Sequence, residues 1–316
     1  MKIGILGDLH LTSRGPSRRL DNFFETQMGK LEEAFDIFKE NGCTLIFQPG
    51  DLFDSHTVSN QVKARMILFL RRQMKGEFPV YCVSGQHDIS GHSLHTLKNS
   101  PLAVLQSAGV IHILSENACT QCLQNIDDKI GPALFGASFG ESIPKPEVRN
   151  GMYNILVLHK MIGDRELFPG QELTKPNQFL RNNPDYDLVI CGDYHYRFSS
   201  QYQGRTIVNA GCLVRKTISK WDLEHKPSVA IFDTDTKKVE FVELEIRPAG
   251  EVFDLFRTSE SSKINSEKFL NALKDKIGGS RKGISAKEAL SLVLENRGSS
   301  TRVQNIIDEC LEEVQK

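Results

Sequence analysis

Carboxylates and imidazoles recur two residues apart in this sequence. Asp8 and His10 close "GILGDLH", and Asp193 and His195 close "VICGDYH". In extended chain a period of two turns both side chains to one face, so each pair can aim two donor atoms at one ligand. Asp51 in "PGDLFD", His87 in "GQHD" and His159 in "LVLHK" add further oxygen and imidazole donors. Hard carboxylates mixed with imidazoles, without thiolates, suit manganese, iron(II), magnesium or zinc in a two-metal hydrolytic site. Taken singly, each has an ordinary explanation: an Asp after Gly is a turn former, and a His beside a strand is usually a satisfied core or surface group. Their recurrence at five strand ends is what argues for a site.

Each of these donors follows a short apolar run that reads as a strand. The runs are "KIGIL" before Gly7, "TLIFQ" before Gly50, "VYCVS" before Gly85, "NILVL" before His159 and "DLVIC" before Gly192. In layered α/β folds, groups at one end of such strands collect into a site. Between the first two runs, Phe24, Met28, Leu31, Phe35 and Phe38 recur at helical spacing, with Gly42 as a stop. "NQVKARMILFLRRQM" is a second amphipathic run, so strand and helix alternate, as in a sheet with helices outside. After residue 198 hairpin patterns take over. "FSSQYQGRTIVNAG" turns at Gly204 and "SVAIFDTDTKKVEFVELEI" turns between Thr234 and Lys238, so the second half of the sheet is expected to be antiparallel.

Composition narrows the partners. With 39 basic and 40 acidic residues the net charge is −1, so no global field favours nucleic acid or membrane, and any such signal is local. No apolar stretch approaches a signal sequence or a membrane span, which gives the expectation of a cytoplasmic chain without membrane contact. The seven cysteines are odd in number and scattered, as in a reducing compartment. The pair Cys119 and Cys122 in "CTQC" lacks a second pair at zinc-finger spacing and is read as structural.

"GDLH", "GDLFD", "GQHD", "LH" and "GDYH", in this order from Asp8 to His195, resemble the signature of the calcineurin-like metallophosphoesterases. "GDLHL", "GDLFD", "GQHD" and "NAGCLVRKT" are most similar to the SbcD-type DNA repair exonucleases. The resemblance covers about the first 250 residues. It implies an α/β fold, a four-layer α/β/β/α sandwich over residues 1–257, with a small helical C-terminal region over 258–316. It also implies two divalent ions, Mn2+ in the first place, with Mg2+ or Fe2+ as alternatives. Asp8, His10, Asp51 and His195 would hold the first ion, and Asp51, Gln86, His159 and Asp193 the second, with Asp51 shared. His87 would face the scissile phosphate as general acid, Asp88 would orient its ring, and Asp54 would anchor the loop behind Asp51. Activated water would attack phosphorus in line.

Two positions depart from the family pattern. Gln86 stands where the family has Asn, on a stem one methylene longer. Asp193 stands where it has His, which sets three anions, Asp8, Asp51 and Asp193, against two cations. A harder metal preference, manganese or magnesium over zinc, follows from that extra carboxylate.

Basic residues beside the motifs point to a polyanionic substrate. Arg14, Arg18 and Arg19 fill the loop after the first motif, and Arg215 follows the last, with Lys160 and Arg197 nearby. Residues 263–302 hold nine basic and four acidic residues in runs with helical period, each opening near Ser or Thr. The resemblance implies that this region binds the coiled-coil base of an SbcC-like ATPase, in a heterotetramer built on a homodimer, acting on DNA in repair, recombination or replication as exo- or endonuclease. The competing readings are a phosphatase or cyclic phosphodiesterase acting on a small molecule or protein, and a non-catalytic scaffold with a degraded metal site.

Overall fold

A computed structural model describes residues 1–74, 78–115, 132–146, 153–166, 171 and 173–255. The "CTQC" pair and the helical runs after residue 263 lie outside the described residues.

Two sheets face each other. The first takes its parallel strands from β1 (Lys2–Ile5), β2 (Cys43–Gln48), β3 (Val80–Cys82) and β4 (His112–Ile113). The second takes β5 (Ala133–Ala137), β6 (Asn154–His159) and β7 (Leu188–Gly192), again parallel. Each strand is short and apolar because both its faces are buried. On β6, Ile155 and Val157 enter the core between the sheets, opposite Ile3, Ile5, Phe47 and Val83. The alternate residues Leu156 and Leu158 enter the outer core.

Helices cover the outer faces and complete the expected α/β/β/α layering. α1 (Phe23–Glu40) starts at Asn22, whose side chain accepts from the Glu25 N–H, and Gly42 follows it with φ 69°. Its buried face includes Phe24, Met28, Leu31, Phe35 and Phe38, as their spacing requires. α2 (Asn60–Met74) and α3 (Pro101–Ser107) join α1 over the first sheet. α4 (Pro176–Asn182) sets Phe179 and Leu180 on the second.

Both expected hairpins form, but they go to different sheets. β8 (Phe198–Tyr202) and β9 (Arg205–Asn209) pair antiparallel, and β9 then lies parallel to β7. β10 (Ser228–Asp233) and β11 (Lys238–Glu243) add to β1 antiparallel, giving the orders β11-β10-β1-β2-β3-β4 and β5-β6-β7-β9-β8. The expectation of one sheet with an antiparallel half is corrected: hairpin patterning fixes the partner within each hairpin, not the strand beside it. Cys43, Cys82, Cys191 and Cys212 are free and buried. Among the described residues no helix is long and apolar enough to cross a membrane.

Candidate metal centre

The C-terminal ends of β1, β2, β3, β6 and β7 deliver the predicted donors to one place. Backbone bonds tie these loops together before any side chain acts: the His10 N–H donates to the Asp51 carbonyl at 3.0 Å, and the Asp8 N–H to that of Gly211 at 3.1 Å. His10, Asp51 and Asp193 all have positive φ, at 51°, 51° and 79°. Left-handed backbone in residues other than glycine costs energy and persists where surrounding structure enforces it, commonly at working sites. Gly85 allows the close approach, since a Cβ there would sit 2.0 Å from Asp51 Oδ1.

Asp51 is the hub. Its Oδ2 lies 3.4 Å from His159 Nε2, 3.9 Å from His10 Nε2 and 4.0 Å from His87 Nε2. His195 Nε2 is 3.5 Å from Asp8 Oδ2 and 3.2 Å from His10 Nε2. The sets Asp8, His10, His195 and His10, Asp51, His87 each converge closely enough to share one ion. The side chains' hydrogen bonds leave the inward atoms bare. Asp8 Oδ1, Asp51 Oδ2, Gln86 Oε1 and His159 Nε2 are buried without a hydrogen-bond partner. An uncompensated buried polar atom costs roughly 1–3 kcal/mol, and four in one cluster are what cations would satisfy. The His159 tautomer agrees: Nδ1–H donates to the Pro49 carbonyl at 2.7 Å, which turns the other nitrogen inward.

The electrostatics point the same way. Burial pushes the Asp8 carboxyl well above its ordinary range and the His10 imidazole well below. Burial would also depress His159, but the carboxylates of Asp51, Asp8 and Asp193 outweigh it and lift the imidazole to about 10. Cations among these groups would restore anionic carboxylates and neutral imidazoles.

The sequence model of the calcineurin-like phosphoesterase superfamily domain matches residues 1–237. The chain belongs to this superfamily. Its members act as phosphoester hydrolases with two divalent ions, and the donor set of this calcineurin-like chain fits such a pair. Among solved structures it is similar to an archaeal phosphodiesterase, at 17% identity and TM-score 0.41, covering 77% of this chain and 100% of that one. It is also similar to a hypothetical protein from Pyrococcus horikoshii OT3, at 16% identity and TM-score 0.40, covering 84% and 93% respectively. Likenesses this distant carry no substrate over. No curated protein matches the chain.

Some expected roles are redistributed. Gln86 lies against Asp193: its Nε2 donates to Asp193 Oδ1 at 2.9 Å, while Oε1 stays unpartnered. Asp88 does not orient His87. Its two oxygens accept from the Phe53 and Gly85 N–H groups, both at 2.9 Å, and it locks the β2 and β3 loops together. His87 is held instead by the Asp54 carbonyl, 3.0 Å from Nδ1, which leaves Nε2 facing Asp51. The Asp54 side chain pairs with Lys216.

Burial, with the Asp51 charge adding to it, pushes the Asp88 carboxyl up to about 7. The unfolded chain releases this proton near pH ~4. Between about pH 4 and 7 the folded state therefore holds the extra proton, and this group's contribution to stability falls as pH rises. His10 and His195, whose imidazoles desolvation depresses, act oppositely in that window. Comparison with Asp88→Asn isolates the carboxyl. In metal-free protein, the variant's urea midpoint should gain on the wild type's between about pH 5 and 7.5, and a gap independent of pH would contradict the assignment.

Two of the arginines expected at the substrate face elsewhere. Arg19 forks onto Asp21 at 2.8 and 2.7 Å, donates to the Arg215 carbonyl, and lies over Phe23 and Phe253. Arg215 is buried and donates to the Arg247 carbonyl. Their guanidiniums hold the structure together, because a planar five-donor group suits buried carboxylates and carbonyls as well as it suits phosphate. Arg19→Ala should cost about 2–3 kcal/mol of stability in urea unfolding and leave kcat/KM unchanged; the reverse pattern would restore its substrate role. Arg14 is exposed and Arg18 half-buried on the same loop.

Two contributors escaped the sequence reading. Gln27 on α1 is fully buried, donates to the Leu9 and His10 carbonyls at 3.0 and 2.7 Å, and accepts from the Thr12 N–H. It pins the first motif loop, and a polar residue on an otherwise apolar helix face was the available signal. Lys216, next to Arg215, pairs with Asp54, whose carboxylate lies 3.8 Å from His10 Nδ1 and whose carbonyl holds His87.

Proposed function

We propose that the chain is a two-metal phosphodiesterase that cleaves DNA, the nuclease subunit of an SbcC–SbcD-like complex. The observation carrying the hydrolase part is the cluster of four unpartnered donor atoms around Asp51. The motif order and "NAGCLVRKT" support the SbcD-like assignment. Access supports a large substrate, since the His87 and His195 side chains, at the mouth of the site, are 43% and 38% exposed.

Asp8, His10, Asp51 and His195 would hold one ion, and Asp51, Gln86, His159 and Asp193 the other. When bound, the pair supplies charge to the phosphoryl oxygens and lowers the pKa of the attacking water. His87, fixed through Nδ1 by the Asp54 carbonyl, presents Nε2 to the leaving oxygen and can hand it a proton. Lys216 neutralises the Asp54 carboxylate, which lies 3.8 Å from His10 Nδ1, and so keeps that carboxylate from adding to the anionic excess of the centre. Lys216→Met should lower kcat/KM for phosphodiesters by about tenfold, and an unchanged value would remove it from the site.

Manganese or magnesium is preferred over zinc because of Asp193, and Asp193→His should shift the metal profile toward zinc. An unaltered profile and pH optimum would count against this. The partners are DNA and a coiled-coil ATPase bound through residues 264–316, in a cytoplasmic assembly with two copies of the nuclease. Manganese-dependent release of nucleotides from linear duplex DNA, exceeding hydrolysis of an aryl phosphate monoester, is the expected result. The opposite ratio would favour a phosphatase. ATPase binding that survives deletion of residues 264–316 would defeat the docking assignment.

A further inference from the structure

A second concave surface, of about 620 Å3, lies beside the metal centre and contains none of its donors. Four cations, Arg165, Arg197, Lys220 and Lys226, line it with Tyr196, Trp221, His225 and one carboxylate, Glu224. It connects to the centre through one residue, because Tyr196 follows His195 and the Trp221 ring lies 6.0 Å from that of His195. The aromatic groups form one body: Trp221 meets Tyr196 edge-on at 5.1 Å and is backed by His225, stacked at 4.4 Å. Arg165 sits 4.2 Å over the Tyr196 ring.

The charges around this body are unequal in their commitments. Arg197 and Lys226 already share Glu243, at 2.8 and 3.3 Å. Arg165 and Lys220 are exposed, and among the described residues neither is in an ion pair. An aromatic platform flanked by cations that are in no ion pair among the described residues matches a nucleobase with its neighbouring phosphates. It matches a base inside a duplex poorly, since both faces of that base are already stacked on its neighbours.

We propose that this cleft is a subsite for a single-stranded stretch of the DNA next to the scissile phosphate. An unstacked base packs against Trp221 and Tyr196, and Arg165 and Lys220 meet the flanking phosphates. The subsite rests on the reading of the chain as a DNA phosphodiesterase, and it adds that the enzyme takes a frayed or single-stranded end.

Trp221 is the chain's single tryptophan, so its fluorescence reports on this surface and on the adjoining His195 edge of the centre. Titration of full-length, metal-free protein with oligo(dT) should give saturable quenching, and an abasic oligonucleotide of equal length should quench far less. Arg165→Ala with Lys220→Ala should weaken oligo(dT) binding about tenfold and lower the salt slope by about 1.4, the share of two phosphates on a single strand. Equal binding by the double variant, or quenching by free dTMP as tight as that by the oligonucleotide, would overturn the strand subsite. The two readings fail separately. Quenching without manganese-dependent cleavage keeps the subsite and sinks the nuclease; cleavage without quenching does the reverse.

Discussion

Asp51→Asn should lower metal-dependent phosphodiester hydrolysis by about a thousandfold or more while the protein stays folded. Asp51 Oδ2 lies near three imidazole nitrogens, at 3.4, 3.9 and 4.0 Å, so removing its charge would weaken both proposed ion positions together. The amide is the same size, and Oδ1 can still accept from the His87 N–H. Without cations the substitution also relieves buried charge, because Asp51 is one of the groups that raises Asp8 and Asp88. It also removes the carboxylate that lifts His159, so metal-free stability should fall by about 1–3 kcal/mol. The rise in stability on adding manganese, about 2.7 kcal/mol at a hundredfold excess over Kd, should shrink sharply. A variant that kept both its rate and its manganese-induced shift would show that the hub lies elsewhere.

Gly7→Ala should be the most damaging glycine-to-alanine change among the described residues. A Cβ at this position would lie 1.6 Å from the Gly211 carbonyl oxygen, and that same oxygen accepts the Asp8 N–H. The clash is with backbone, so no rotamer can relieve it. The loop around Gly211 would have to withdraw, taking with it the Cys212 N–H that bonds to the His195 carbonyl at 3.0 Å. Stability should fall by about 3 kcal/mol or more and activity should go with it. Gly29→Ala is the control. It lies within α1 with open space around it, and should instead stabilise by about 1 kcal/mol. If the two variants melted alike, the packing argument for Gly7 would be wrong.

The donors were legible because chemistry constrains residue type at strand ends more tightly than anywhere else in the chain. Asp8, His10, Asp51, His87, His159 and His195 meet around one centre, on strands whose apolar runs announced them. Gln86 and Asp193 were visible as departures, and their hydrogen bond to each other was not, since nothing local says that two loops 107 residues apart touch. Asp88 shows a different blind spot. A carboxylate beside a histidine reads as its partner, yet here both its oxygens are taken by backbone N–H groups, which carry no sequence signal. Arg215 and Lys216 are adjacent and basic, and only the path of the backbone decides that the lysine faces the site and the arginine the interior. The sheet assignment of the two hairpins was hidden for the same reason, because pairing beyond a hairpin depends on contacts remote in sequence.

The central claim is that cations held around Asp51 make this chain a phosphodiesterase. Its most direct test is hydrolysis of bis(4-nitrophenyl) phosphate by metal-stripped protein as manganese is added. The expected course is no turnover without metal, saturable turnover with it, and none in Asp51→Asn at any manganese concentration. Metal binding without turnover in the wild type, or equal turnover in the variant, would contradict it.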